Sequence, residues 1–210
     1  MTRLFVVRHG QTDWNVARRL QGASDIPLND VGRAQARAAR AALWAELTPE
    51  PVVVSSHLGR AVETAALLCE GTGTQVHTDP RLAERAYGVW EGLEADKREI
   101  EYPEEFSRWQ AGHEPRIEGY ETHAELAARV REATDHWVSA AAGRDVVFVS
   151  HGSAGRMLLL EVLGLPLVGK VLGHLENASW SRMVRGGDGR WSLDRHNVGA
   201  PALPAFKAGA

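Results

Sequence analysis

A three-layer α/β/α sandwich, with a mostly parallel central sheet and an antiparallel edge strand, is the α/β fold class that this sequence predicts. Three observations carry it. Short β-type runs alternate with helical periodicities. Three of those runs, residues 4–7, 52–54 and 146–149, are continuously apolar, as strands covered on both faces must be. Toward the end, two more β-type runs flank Gly186-Gly187-Asp188-Gly189, the composition of a hairpin turn.

The elements follow in order. Run 4–7 stops at Arg8, and Asn29 or Asp30 can then cap an Ala-rich helix that ends before Pro49 and Pro51. After run 52–54, Ser56 is a candidate cap for a helix reaching Gly71. A shorter β-type run covers 75–77. Thr122-His123-Ala124-Glu125 has the form of a capping box, with Leu126, Val130, Ala133, Trp137 and Ala141 along one helical face. Behind run 146–149 a helix is expected from Gly152 through Met157, Leu158, Leu160 and Val162 until Pro166. Residues 179–184 and 190–194 form the hairpin at a sheet edge, and the Ala/Pro-rich tail from Pro201 is expected to be loose.

With 210 residues, a formal charge of −3 and 44% hydrophobic content, the chain reads as one globular domain, 1–210. Residues 84–121 stand apart, holding eleven acidic against five basic residues without regular periodicity. They are expected to form a cap or insertion over the sheet edge. The single cysteine, Cys69, allows no internal disulfide and reads as a small buried apolar residue. No apolar stretch is long enough for a leader or a membrane span, so a cytoplasmic protein without a membrane partner is expected. Mild acidity argues against a nucleic-acid partner, which would need a concentrated basic surface. A homodimer is left open.

Chemistry concentrates where the apolar runs end. Arg8-His9-Gly10 follows the first run and Ser150-His151-Gly152 the fourth, while the second ends in Ser55-Ser56 with Arg60 shortly after. Open α/β sheets bind ligands at the carboxyl ends of parallel strands. Two imidazoles and two guanidinium groups gathered there suit a phosphate, gripped by paired N–H bonds and by helix N-termini. A neutral imidazole can attack phosphorus, and His9 is favoured because Gly10 would let the backbone approach the bound phosphate closely. The leaving alkoxide needs a proton, and Glu84, at the entrance to the cap, is placed to give it, although Glu91 has an equal claim on periodicity alone.

At these residues the sequence resembles the histidine phosphatase superfamily, the phosphoglycerate mutase-like proteins. The resemblance runs from Arg8-His9-Gly10-Gln11-Thr12 with Asn15 and Gln21-Gly22, through Arg60-Ala61 and Leu82-Ala83-Glu84, to Ser150-His151-Gly152 and Asn177-Ala178-Ser179. It implies the phosphoglycerate mutase-like fold, His9 as the phosphohistidine nucleophile, Arg8, Arg60 and His151 around the phosphoryl group, and Glu84 as proton donor. It also implies a substrate pocket with Asn15, Gln21 and Gly22; Gly152 is a further expected substrate contact, and no metal or other cofactor is expected. Three positions depart from the pattern: Ser153 for a second glycine, His57 for an aspartate, and Gly119-Tyr120-Glu121-Thr122 for Gly-Gly-Glu-Ser. The segment Asn177-Ala178-Ser179-Trp180, with Trp191-Ser192-Leu193 and Asn197, is similar to actinobacterial phosphatases acting on glucosyl-3-phosphoglycerate.

The function expected is a metal-independent phosphatase acting on a small phosphorylated metabolite of sugar or glycerate type. A cofactor-dependent phosphoglycerate mutase is the alternative; it would need a larger, more basic enclosure than the short acidic cap suggests. Within the cap, Lys97, Arg98, Arg108, His113 and above all Arg116 are candidates for a second substrate anion. A carboxylic ester hydrolase is the rival enzyme, with Ser153 in a Gly-Ser-Ala-Gly turn and Asp194 and His196 downstream. Nine histidines raise a metal site, but no His-x-His pair or His-Glu-x-x-His helix occurs.

Overall fold

Side chains along the central strands alternate between two apolar layers, and that alternation builds the molecule. A computed structural model of the chain describes residues 2–169 and 171–199; the tail from Pro201 lies outside them. The described residues form one sheet of six strands: β1 (Thr2–Arg8), β2 (Val52–Ser55), β3 (Val76–Thr78), β4 (Val146–Ser150), β5 (Trp180–Arg185) and β6 (Trp191–Val198). Their order is β3-β2-β4-β1-β5-β6. The first four in that order are parallel, and the hairpin β5-β6 is attached antiparallel to β1.

On one face, Leu4, Val6, Val54, Val146 and Phe148 meet Leu126 and Val130 of α6 (His123–Ala140) and Met157 and Leu158 of α7 (Gly152–Val162). On the other, Phe5, Val7, Val53, Val147 and Val149 meet Ala39 and Leu43 of α2 (Asp30–Trp44) and Ala61, Ala65 and Leu68 of α3 (Gly59–Cys69). Each fully buried Val, Leu or Phe contributes roughly 1.5–3 kcal/mol, so burial on both faces holds the three layers together. Cys69 is buried in the second layer, and burial pushes its thiol up to about 11. Among the described residues no helix is long and apolar enough to cross a membrane.

Local signals act where expected, with one exception. Asn29 caps α2 through Gly32, and Thr122 with Glu125 forms the capping box of α6. Ser56 does not cap α3; it lies in the buried turn after β2, and the helix starts at Gly59. The Gly59 N–H is met instead by Asp25, from a distant loop, at 2.8 Å. A short helix, α1 (Asp13–Val16), follows the first strand and is closed by a capping box of Thr12 and Asn15.

Residues 84–121 are more regular than their sequence suggests, because they carry α4 (Ala95–Glu101) and α5 (Pro103–Gln110). The buried residue of α4 is Arg98, a charge rather than an apolar side chain, and Pro103 cuts the run, so neither helix shows an apolar stripe of useful length. The segment has its own cluster of Tyr87, Trp90 and Phe106. The Arg98 guanidinium lies 5.0 Å from the Trp109 ring centre and 5.8 Å from that of Trp90.

At the end of the sheet opposite the histidines, buried Asp145 accepts Arg3 Nε at 2.9 Å and the Thr48 N–H at 2.7 Å, while its own carbonyl accepts the Val52 N–H. Burial pushes this carboxyl up, but the bonds from Arg3 and Thr48 outweigh it and hold the group below the usual aspartate range. A carboxylate depressed in the fold contributes stability above its unfolded value near 3.9, and that stability is lost as pH falls through the folded value. The Asp145→Asn variant should therefore lose roughly 2 kcal/mol at pH 7 by urea titration, with the deficit shrinking toward pH 3. An equal deficit at both pH values would contradict this role.

Candidate active site

Because β4 lies between β2 and β1, the residues that follow all three strands emerge side by side at their carboxyl ends. Arg8 is in register with Ser150, so His9 and His151 leave neighbouring parallel strands together. Their ring centres are 5.1 Å apart, and both rings are buried. Arg60 arrives from the first turn of α3 and is also buried. Sequence reasoning placed these four residues in one crevice, and the structure brings them together.

Hydrogen bonding gives the two imidazoles opposite tautomers. The Gly10 carbonyl can only accept, so His9 Nδ1, 2.6 Å from it, carries the hydrogen and Nε2 keeps its lone pair. Arg60 Nε donates to His151 Nδ1 at 3.2 Å, so the hydrogen of His151 sits on Nε2. That Nε2 has no partner among the described residues, and neither does Arg8 Nε. One ring presents a nucleophile and its neighbour an N–H donor. Burial first, then the Arg8 and Arg60 charges, lower the His9 pKa well below the ordinary histidine value. Burial, then His9 and Arg60, do the same to His151. Both rings are neutral at pH 7 as a result.

A cavity of about 170 Å³ opens over His9, and Arg8, Asn15, Gln21, Arg60, Glu84 and Gly152 line it. His151 is not among the lining residues and is fully buried. Gly22 is not among them either, and it contributes its carbonyl to Arg60 Nη2 at 2.8 Å. Asn15 is held by Thr12 and by Asn177, whose Nδ2 also donates to the His9 carbonyl at 3.0 Å.

Several expectations change in detail. Gly10 is required by packing: a Cβ there would lie 2.4 Å from the Gly32 carbonyl of α2, which is a closer constraint than room for a phosphate. The N-terminus of α7 is taken, because the Ser153 and Ala154 N–H groups bond the Glu84 carboxylate at 3.1 and 2.9 Å. Arg60 spends N–H groups on His151, Gly22 and Ser24, leaving two of its five for a ligand. Of the two candidate acids, Glu84 lines the cavity, whereas Glu91 bonds the Ala23, Ser24 and Tyr87 N–H groups. Ser153, Asp194 and His196 do not form an ester-hydrolase triad, since Ser153 bonds Tyr87, Asp194 pairs with Arg182, and His196 bonds Ser181 on the far hairpin.

The cap cations sit elsewhere too. Arg98 is buried in the aromatic cluster, Arg108 pairs with Glu105, and Arg108, His113 and Arg116 line a different cavity. What the sequence did not signal are Arg19, Leu20, Tyr87 and His174, which with Ser153 complete the lining over His9. Tyr87 and His174 both lie in irregular stretches, so no periodicity marks either.

Known proteins resemble this chain over most of its length. The profile of the histidine phosphatase superfamily (branch 1) matches residues 4–199. The sequence is 39% identical over 188 residues to a probable phosphoglycerate mutase of Yersinia enterocolitica, covering 87% of this chain and 85% of that protein. It is 36% identical over 215 residues to a glucosyl-3-phosphoglycerate phosphatase of Mycobacterium tuberculosis, covering 94% and 95%. A solved mycobacterial glucosyl-3-phosphoglycerate phosphatase in complex with VO3 superposes with a TM-score of 0.83 at 38% identity, covering 93% of this chain and 98% of that one.

The two tautomers are directly measurable. Nitrogen-15 NMR at pH 7 should show His9 protonated on Nδ1 and His151 on Nε2, with neither ring titrating until well below pH 6.5. A His9 ring that is cationic at pH 7, or protonated on Nε2, would contradict the assignment.

Proposed function

The chain belongs to the histidine phosphatase superfamily, branch 1, and we propose that it is a metal-independent phosphatase of small phosphate monoesters, of sugar or glycerate type, acting through a phosphohistidine on His9. The observation that carries this reading is the pair of complementary rings: a buried neutral imidazole with its lone pair on Nε2 beside one that offers an N–H. In the first step His9 Nε2 forms a bond to phosphorus as the ester P–O bond breaks, and Glu84 gives its proton to the departing alkoxide. The Gly10 carbonyl holds the Nδ1 hydrogen while the ring gains positive charge. Arg8, the free N–H groups of Arg60 and His151 Nε2 take the phosphoryl oxygens. In the second step water attacks phosphorus, Glu84 takes its proton, and inorganic phosphate leaves with His9 restored.

Asn15 and Gln21 border the substrate in this reading, with Gly22 acting through Arg60, and no metal or cofactor takes part. We place the enzyme in the cytoplasm, as a single domain whose residues 84–121 cap the site. Relatives named both phosphatase and mutase match this chain, so product analysis decides between them. With 3-phosphoglycerate, release of phosphate without isomerisation supports hydrolysis, and isomerisation stimulated by 2,3-bisphosphoglycerate would overturn it.

Mutation tests the roles. His9→Ala should lose about three orders of magnitude or more in kcat, and EDTA should leave the wild-type rate unchanged. An acid-labile, base-stable phosphoprotein should be trapped only when His9 is present. Glu84→Gln should cost about 10²–10⁴-fold on alkyl phosphates and far less on p-nitrophenyl phosphate, whose leaving group needs no proton. A loss equal on both substrates would remove Glu84 from the role of acid.

A further inference from the structure

Residues 174–179 lead into β5 and fasten several groups of the site. The Leu175 carbonyl accepts Arg8 Nη1 at 2.7 Å, and the Ala178 N–H meets the carbonyls of Arg8 and His9 at 3.0 and 3.2 Å. Asn177 reaches further: its Nδ2 donates to the His9 carbonyl at 3.0 Å and to Asn15 Oδ1 at 3.2 Å. Asn15 lines the cavity over His9 and Asn177 does not.

Donors and acceptors fix both carboxamides. The His9 carbonyl can only accept, so the Asn177 atom beside it is Nδ2, and the second hydrogen of that NH2 is left for Asn15. The Thr12 N–H can only donate, so the Asn15 atom 3.0 Å from it is Oδ1. That oxygen also accepts the Thr12 hydroxyl at 3.1 Å, so every side-chain bond of Asn15 among the described residues is made by Oδ1. Its NH2 is left for the cavity. The Thr12 bonds alone are a weak hold, because they belong to the capping box of a helix of four residues. Asn177 is anchored better. On either side of it, Asn197 of β6 accepts the Glu176 N–H at 2.7 Å and the Ser179 hydroxyl at 2.6 Å. Next to it Ala178, with a φ of 57° that is costly for a residue bearing a Cβ, is kept in place by burial in the second apolar layer.

We propose that Asn177 is a positioning residue that holds the Asn15 carboxamide with its NH2 turned to the phosphoryl group. This rests on the phosphatase reading above and adds to it a side chain that acts through Asn15. Once the Asn177 donor is removed, the Asn15 amide is tied only to its own short helix and can turn its oxygen toward the anion, which repels it.

A double-mutant cycle tests it, read as the inhibition constant of orthovanadate against turnover of p-nitrophenyl phosphate. Asn15→Ala should raise that constant about tenfold, and Asn177→Leu, similar in size but without a donor, about fivefold or more. In the Asn15→Ala background the Asn177→Leu change should cost less than about twofold. An inhibition constant does not depend on the folded fraction, so a destabilised variant still reports, and the smaller Asn177→Ser takes its place in the cycle if the leucine variant does not fold. By NMR the Asn15 side-chain NH2 signal, identified by its loss in Asn15→Ala, should move when vanadate is added to the wild type and stay nearly still in Asn177→Leu. A cost that is the same with and without Asn15, no cost at all, or no inhibition by vanadate overturns the inference alone if turnover still depends on His9. Absence of His9-dependent turnover with every ester overturns the phosphatase reading and the inference with it.

Discussion

The hydrogen bond from His9 Nδ1 to the Gly10 carbonyl is a local contact, yet it depends on several distant elements. An imidazole next to its own chain can turn either nitrogen toward a ligand, and only a carbonyl held still selects one. Thr64 of α3 accepts the Gly10 N–H at 3.1 Å, and Thr64 in turn donates to the Arg60 carbonyl. The Gln11 N–H bonds Gln35 of α2, and the glycine pair Gly10 and Gly32 lets α2 press against the loop. Both helices of one layer therefore grip the residues that orient the ring. The apolar strand β1 sets where that loop begins, so packing of the core, rather than the loop itself, fixes the tautomer on which the proposed chemistry depends.

The same arrangement is costly for the fold. Two imidazoles and two arginines share a dry site with one carboxylate, Glu84, and the rings stay neutral because burial and cationic neighbours resist their protonation. Unfolded histidines bind protons near pH 6.5 whereas these do not, so their contribution to stability is present above that pH and is lost as pH falls below it. Among the described residues, buried Arg8 Nε and His151 Nε2 have no partner. Groups that weaken the empty protein are the ones a phosphoryl group would satisfy.

How much of this could be read in advance differs by element. The runs at 4–7, 52–54 and 146–149 were legible because strands buried on both faces leave a continuous apolar signature, and the hairpin because its glycines mark the turn. Placing His9, Arg60 and His151 in one crevice followed from strand ends alone. Glu84 did not: its distinction from Glu91 is three-dimensional, since one carboxylate meets α7 and the other a loop. Residues 84–121 hid two helices because Arg98, a charge, fills the position an apolar residue would mark. Long-range partners such as Asp25 for Gly59 leave no local trace at all.

A crystal structure of the protein with orthovanadate would test the central claim most directly, because vanadate adopts the five-coordinate geometry of phosphoryl transfer. The expected complex has vanadium bonded to His9 Nε2, His151 Nε2 donating to a vanadate oxygen, and Nδ1 still against the Gly10 carbonyl. Vanadate bound through Ser153 Oγ, or seated away from a His9 ring that has turned its Nδ1 to the metal, would contradict the account.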